Sequence, residues 1–329
     1  MRLKRTLIYI IQIILFIPLQ IVFVPLAIVG IFLGVYKELI LGKKLGVSYS
    51  AGQTLQYRYY MHYLGTREDQ NTVEFVKHYP CESHFALFSI LGAFILSKRW
   101  FGFTTTLSKL PSKGKESLDK AAAMRLLAFD GILNDYVGQV DQVVIPGVGY
   151  DLIALSINKK VSIYEIDQKK TMLIKQSTLI DAGIQHSHIN YIPVDYSSES
   201  WSEKLVEAGF DKSKKTLFIW QSVSHFLEED LVKDTLSQMK NLSSSGSIIA
   251  QDFYDKNFIS GNTHNSVKSQ KKMMAKNGEP WVWGIDMSNH PKEAVENFLS
   301  ECGLDLSSYY GFGEDLDISP YYCIVTSKV

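Results

Sequence analysis

The first apolar run, LIYIIQIILFIPLQIVFVPLAIVGIFLGVY at residues 7–36, contains no charged side chain. About 20 apolar residues already cross a bilayer as a helix, so this run predicts membrane insertion. Its length leaves two forms open: one tilted or kinked span, or a re-entrant hairpin turned at Pro18 and Pro25. A cleaved signal peptide is the competing form, but its apolar region is about 7 to 15 residues and ends at a small-residue cleavage site, which this run lacks. A second run, FALFSILGAFIL at 85–96, is too short to span and predicts a buried helix or an interfacial segment. The SKRWFGF that follows it carries the cationic and aromatic residues favoured at a membrane surface. A polar stretch, SKLPSKGKES at 108–117, with Pro111 and Gly114 as breakers, predicts a loop.

Beyond it the pattern changes. Short β-branched runs recur at QVVIP (142–146), KVSIYEI (160–166), INYIPV (189–194), KTLFIW (215–220), GSIIAQDF (246–253) and YYCIVTS (321–327). Helix-type patterns lie between them: QKKTMLIKQSTLIDAG, SWSEKLVEAG, LEEDLVKDTLSQMKNL and HPKEAVENFLSECG. Strands alternating with helices imply parallel pairing and right-handed crossovers, hence a doubly wound α/β sheet. The expected organisation is therefore a membrane anchor at 1–46, a helical cap or substrate region at 47–117, and the α/β domain at 118–329.

Charge removes one class of partner. Lys plus Arg equal Asp plus Glu at 34 each, so no electrostatic drive toward nucleic acid is expected. Lys and Arg flank the apolar run on both sides, Arg2, Lys4 and Arg5 before it and Lys37, Lys43 and Lys44 after it, and set no orientation. Cys81, Cys302 and Cys323 have no CxxC partner and no histidine at metal spacing; they read as ordinary thiols of a reducing compartment, with the α/β domain facing the cytosol. No metal-ligand cluster is visible, and no metal is expected.

The candidate chemistry sits at strand ends. In an open α/β sheet ligands bind outside the carboxyl ends of the strands, near the switch point, and the first strand ends in PGVGYD. Gly147 and Gly149 allow a backbone to approach a ligand closely, or to make a tight turn. Asp167 ends the second strand twenty residues after Gly147, placed to accept hydrogen bonds from a ribose diol or to cap a helix. Asp195 ends the third strand, and alone reads as a cap or turn residue. The third glycine of the dinucleotide fingerprint is Leu152 here, which disfavours NAD, whereas S-adenosylmethionine has no phosphate to cradle.

These stretches resemble the small-molecule branch of the leucine carboxyl methyltransferase-like family of class I methyltransferases. Its members carry an Arg-containing helix, then strands reading like VVxLGAGxDTRA, FEVDQP, VDL and EGLxMYL. AMRLLAFDGIL, VVIPGVGYDLIA, YEIDQKK, PVDYSSE and WQSVSHFLEEDLV stand in that order over roughly residues 118–329. The resemblance implies a mostly parallel seven-stranded Rossmann-like sheet and S-adenosyl-L-methionine as cofactor. It implies that Gly147 and Gly149 face the cofactor, Asp167 holds its ribose, Asp195 lies by the adenine, and Arg125 pairs with the methionine carboxylate. Arg125 also shares a helical face with Phe129, Ile132 and Tyr136, so a buried guanidinium needs an anionic partner, or must snorkel, and Leu should be tolerated there.

The departures matter equally. Gln221 stands where the family has a Glu for the cofactor's ammonium group, Leu152 and Ile153 replace TR, and Phe226 replaces the Tyr of MYL with His225 beside it. Methyl transfer to a carboxylate needs no base, so no catalytic residue is assigned, and His225 reads as structural or substrate-lining. The expected activity is S-adenosylmethionine-dependent O-methylation of a carboxylate on a small or lipid-like molecule, by a membrane-anchored enzyme. The alternatives are a degenerate nucleoside-binding membrane module and an NAD-linked oxidoreductase. A chain lacking residues 1–46 is expected to keep its cofactor affinity.

Overall fold

The computed structural model describes all residues except Met1, 106–107, 197, 262–264 and 315–319. They cluster into two compact units, one of residues 1–110 with 177–184, the other of residues 111–176 and 185–329.

The first unit is helical. α1 (Arg2–Val35) is a single helix that continues through Pro18 and Pro25, so the hairpin alternative is not what this run adopts. An apolar helix tolerates proline where neighbouring groups re-satisfy the freed carbonyls. At 1.5 Å per residue it is about 50 Å long, more than the hydrocarbon thickness of a bilayer. A π-helical turn (Tyr36–Leu41) and a short α2 (Gly42–Leu45) follow, then α3 (Tyr49–Leu64), α4 (Gln70–His78) and α5 (His84–Phe101). Ser48, Asp69 and Ser83 cap the last three, each side chain accepting from a backbone N–H three residues on.

α5 extends the twelve-residue apolar run at both ends and lies antiparallel along α1. Phe16 meets Phe94 at 5.3 Å between ring centroids and Phe103 at 5.0 Å, Gln12 Nε2 donates to the Phe101 carbonyl at 2.8 Å, and Phe23 meets Phe88 at 6.3 Å. On α1 the shielded positions Gln12, Phe16, Leu19, Phe23, Leu26, Gly30 and Leu33 alternate by four and three, the seam of a two-helix pair. Most other large apolar residues from Leu7 to Val35 are exposed, from Ile13 at 37% to Phe32 at 73%.

The second unit opens with α6 (Ala121–Tyr136) and carries the sheet: β1 (Gln142–Pro146), β2 (Ser162–Gln168), β3 (Ile189–Val194), β4 (Thr216–Trp220), β5 (Ile248–Tyr254), β6 (Asp305–Phe312) and β7 (Tyr322–Lys328). The order is β3-β2-β1-β4-β5-β7-β6, and β7 alone runs against its neighbours, giving a mostly parallel seven-stranded, doubly wound sheet. α7 (Lys169–Asp181), α8 (Trp201–Glu207), α9 (Glu229–Leu242), α10 (Lys256–Ser260), α11 (Asn265–Lys276) and α12 (Pro291–Glu301) connect the strands. Every residue of β1 and β4 is buried, which explains their unbroken apolar runs: a central parallel strand is covered on both faces. The order reverses between β1 and β4, so the switch point falls at Gly147.

β6 was not among the expected strands. Its DLSSYYGF mixes exposed, half-buried and buried positions out of step along the sheet edge, with a register shift between Leu306 and Ser308, so no alternation marks it. The three cysteines are free and buried, as expected.

Candidate functional site

The register aligns the expected residues along the carboxyl edge of the sheet. Pro146 pairs with Ile166, Gln168 with Val194, and Trp220 with Gln251, so Gly147, Asp167, Asp195 and Gln221 each stand at or just past a strand end. Neighbouring strands are about 4.8 Å apart, so the row from β3 to β4 covers about 14 Å.

Gly147 and Gly149 have φ of +68° and +54°, the left-handed region that a Cβ disfavours. A Cβ on Gly147 would also stand 2.5 Å from Val223 Cγ2, so both space and conformation require glycine. Gly147 N–H donates to the Ile166 carbonyl at 2.8 Å. Gly149 N–H donates to Asp167 Oδ2 at 2.7 Å and Gln168 N–H to Asp167 Oδ1 at 2.7 Å. Burial raises the Asp167 carboxyl above its usual range, while those two N–H groups pull it back.

A buried ion pair fixes the loop from below. Lys175 Nζ donates to Glu165 Oε2 at 2.7 Å and to the Asp151 carbonyl at 2.6 Å, both side chains at most 1% exposed, and Asp151 Oδ1 accepts from Ile153 N–H at 2.8 Å. Burial pushes the Glu165 carboxyl up and Lys175 opposes it. Sequence reasoning missed this pair. The available signals were a lone Glu inside the apolar SIYEI and a Lys on the buried stripe of Thr171, Met172 and Lys175.

Asp195 is exposed and opens a turn: its carbonyl accepts from Ser198 and Glu199 N–H at 3.0 and 2.8 Å, and its own N–H donates to Glu199 Oε2 at 2.8 Å. Gln221 is half-buried just past β4.

Arg125 is buried on α6, on a stripe of Arg125, Leu126, Phe129 and Leu133, while Ile132 and Tyr136 are only half-buried. Its Nη1 donates to Ser222 Oγ at 2.6 Å. Ser222 has φ of +60°, rare for a side-chain-bearing residue, and its N–H reaches Asp252 Oδ1 at 2.8 Å and Oδ2 at 2.9 Å. The Tyr322 hydroxyl also donates to Asp252 Oδ2, and the Ser224 hydroxyl to the Asp252 carbonyl at 2.9 Å. Arg125 thus has an internal acceptor and an internal anion nearby, which the sequence did not reveal. Burial raises Asp252 to about 6 although the Arg125 charge draws it down. His225, 3% exposed, is pushed down to about 3 by burial and then by Arg125, so it stays neutral.

Residues 95–240 match the leucine carboxyl methyltransferase family. YktD of Bacillus subtilis is 27% identical over 52% of this chain and 56% of its own, and a Mycobacterium bovis relative is 32% identical over 40% and 43%. Both are named "Putative S-adenosyl-L-methionine-dependent methyltransferase". The chain therefore spans about half the length of these curated relatives. The structure of a "putative methyltransferase" from Thermobifida fusca YX overlays with a TM-score of 0.46 at 15% identity, covering 65% of this chain and 84% of that one.

Proposed function

We propose that this protein is an S-adenosylmethionine-dependent O-methyltransferase, anchored in a membrane by α1, that methylates a carboxylate of a small or lipid-like molecule. The observation that carries the reading is the row of strand ends. Asp195, Asp167, the Gly147–Gly149 backbone and Gln221 follow one another in the order β3, β2, β1, β4, matching adenine, ribose, methionine chain and ammonium group of an extended cofactor. The site fits that group: a left-handed glycine turn that any Cβ would fill stands beside a half-buried carboxylate.

When bound, the cofactor supplies an electrophilic methyl group on sulfur. Gly147 and Gly149 let the backbone approach its methionine chain, and Asp167 accepts from its ribose hydroxyls. Arg125, held by Ser222 and Tyr254, supplies positive charge toward its carboxylate, while the Gln221 carbonyl oxygen accepts from its ammonium group without adding charge. The acceptor is already anionic, so alignment of nucleophile and methyl group does most of the work and no base is required.

The uncharged outer face of α1 supports hydrocarbon as its surroundings, and a lipid-like acceptor gives a reason for tethering, because anchoring raises its effective concentration. The buried free thiols of Cys302 and Cys323 favour the cytosolic side for the second unit. The test is calorimetry of full-length protein in nanodiscs with S-adenosylmethionine and S-adenosylhomocysteine. Saturable one-site binding of both is expected; absence of heat with both refutes the reading.

A further inference from the structure

In the second unit, two nitrogen atoms of one aromatic cluster are buried without a hydrogen-bond partner among the described residues: His225 Nδ1 and Trp281 Nε1. Their residues are 3% and 6% exposed. Tyr254, at the end of β5, makes a triangle with them, its ring centroid 4.7 Å from that of His225 and 6.0 Å from that of Trp281, and those two rings are 6.1 Å apart. Phe226 closes on His225 at 4.0 Å, and Phe258 stacks on Tyr254 and Trp281 at 5.2 and 5.7 Å. Val282 N–H donates to the His225 carbonyl at 2.8 Å, so the backbone itself fixes the Trp281 segment against the turn after β4. Folded proteins rarely leave buried N–H groups unpaired, and those that remain ask for a ligand or water. This corner adjoins the β4 and β5 ends, beside Arg125 and Asp252.

We propose that His225 Nδ1 and Trp281 Nε1 together hold one oxygen of the acceptor carboxylate, and that the acceptor is flat next to that carboxylate. The proposal rests on the methyl-transfer reading above and names its substrate class. Trp281 donates only, and neutral His225 donates from Nδ1 in one of its two tautomers, so a carboxylate oxygen satisfies both atoms at once. Neutral donors also suit the reaction. Two N–H groups on one oxygen leave the lone pairs of the other available. That second oxygen forms the new O–CH3 bond as the S–CH3 bond breaks, the bonding pair stays on sulfur, and no proton moves. The ring faces and edges of Tyr254, Trp281 and Phe226 favour a planar neighbour to the carboxylate, such as an arene or conjugated chain.

The probe is benzoate, titrated into full-length protein in phosphatidylcholine nanodiscs saturated with S-adenosylhomocysteine. We expect Trp281→Phe and His225→Phe each to weaken benzoate binding at least tenfold, to leave S-adenosylhomocysteine affinity unchanged, and not to lower the Tm, since each removes an unpaired buried atom. A purely structural role would instead lower the Tm and leave benzoate affinity alone. In the wild type, one of the five indole N–H resonances should move downfield with benzoate, a readout that survives even if a variant fails to fold. Five unmoved indole resonances, or equal benzoate affinity in wild type and both variants, overturn the proposal. So does a wild type that binds S-adenosylhomocysteine but no benzoate; a wild type that binds neither refutes the methyl-transfer reading instead.

Discussion

Gly149 donates its backbone N–H to Asp167 Oδ2 at 2.7 Å, so the glycine turn after β1 and the carboxylate ending β2 form one unit before any ligand arrives. The carboxylate orders the turn and keeps further lone pairs for hydroxyl donors. Asp167→Ala therefore removes a ligand partner and frees the Gly149 N–H at once. We expect it to weaken S-adenosylhomocysteine binding at least tenfold, about 1.4 kcal/mol, by calorimetry. A folded Asp167→Ala protein with unchanged affinity would falsify the ribose role.

Arg125 carries a revised expectation. Its position on an apolar helix face suggests that leucine is tolerated, but the structure gives it Ser222 as acceptor and Asp252 as nearby anion. Arg125→Leu takes the donor from the Ser222 hydroxyl and the positive charge from beside buried Asp252, and leaving such groups unsatisfied costs about 1 to 3 kcal/mol. Urea unfolding should show this loss. Stability equal to wild type would mean that the two charges do not support one another.

Asp252 also sets a pH dependence. Its carboxyl is raised from 3.8 to about 6, so the folded state holds a proton that the unfolded chain has already released. The contribution is present in full below about pH 3.8 and is lost as pH rises through about 6. Arg125 from α6, Tyr254 from β5, and Tyr322 and Cys323 from β7 interact with this group, and His225, which senses Arg125 and is lowered to about 3, does not titrate in that window. Relative to Asp252→Asn, wild-type stability should fall between pH 4.5 and 6 by at most about 1.4 kcal/mol per pH unit. Parallel curves for the two proteins would place the Asp252 carboxyl at its ordinary value.

The part of the site legible in the sequence is the part written in local pattern. Apolar runs located β1 to β5 and β7, and the PGVGYD break located the turn, because a central strand and a left-handed glycine each leave a signature within a few residues. The Arg125–Ser222–Asp252 connection left none. Its members are 97 and 30 residues apart, and a serine at positive φ looks like any other serine. β6 was missed because an edge strand open to solvent need not alternate.

The α1–α5 pair makes the N-terminal helix part of a folded body. Gly92 and Gly30 are the close approaches: a Cβ on Gly92 would fall 1.9 Å from the Phe23 ring, and one on Gly30 would fall 2.8 Å from the Ala86 carbonyl oxygen. Gly34, on the same helix as Gly30, has nothing within 4 Å of that position. Gly92→Leu should therefore force the helices apart at a cost of about 1 to 3 kcal/mol, as overpacking does. Gly34→Ala should be neutral or stabilising by up to about 1 kcal/mol, through helix propensity alone. Deleting residues 1–46 removes Phe16, Phe23 and Gly30 from the face of α5 and exposes Phe88 and Phe94, so the truncated chain should aggregate unless held in detergent, whatever its cofactor affinity. Thermal unfolding of the two glycine variants in nanodiscs, with size-exclusion chromatography of the truncation without detergent, checks both points. A Gly92→Leu protein as stable as Gly34→Ala, together with a monodisperse truncation, would show that α1 is a detachable tail.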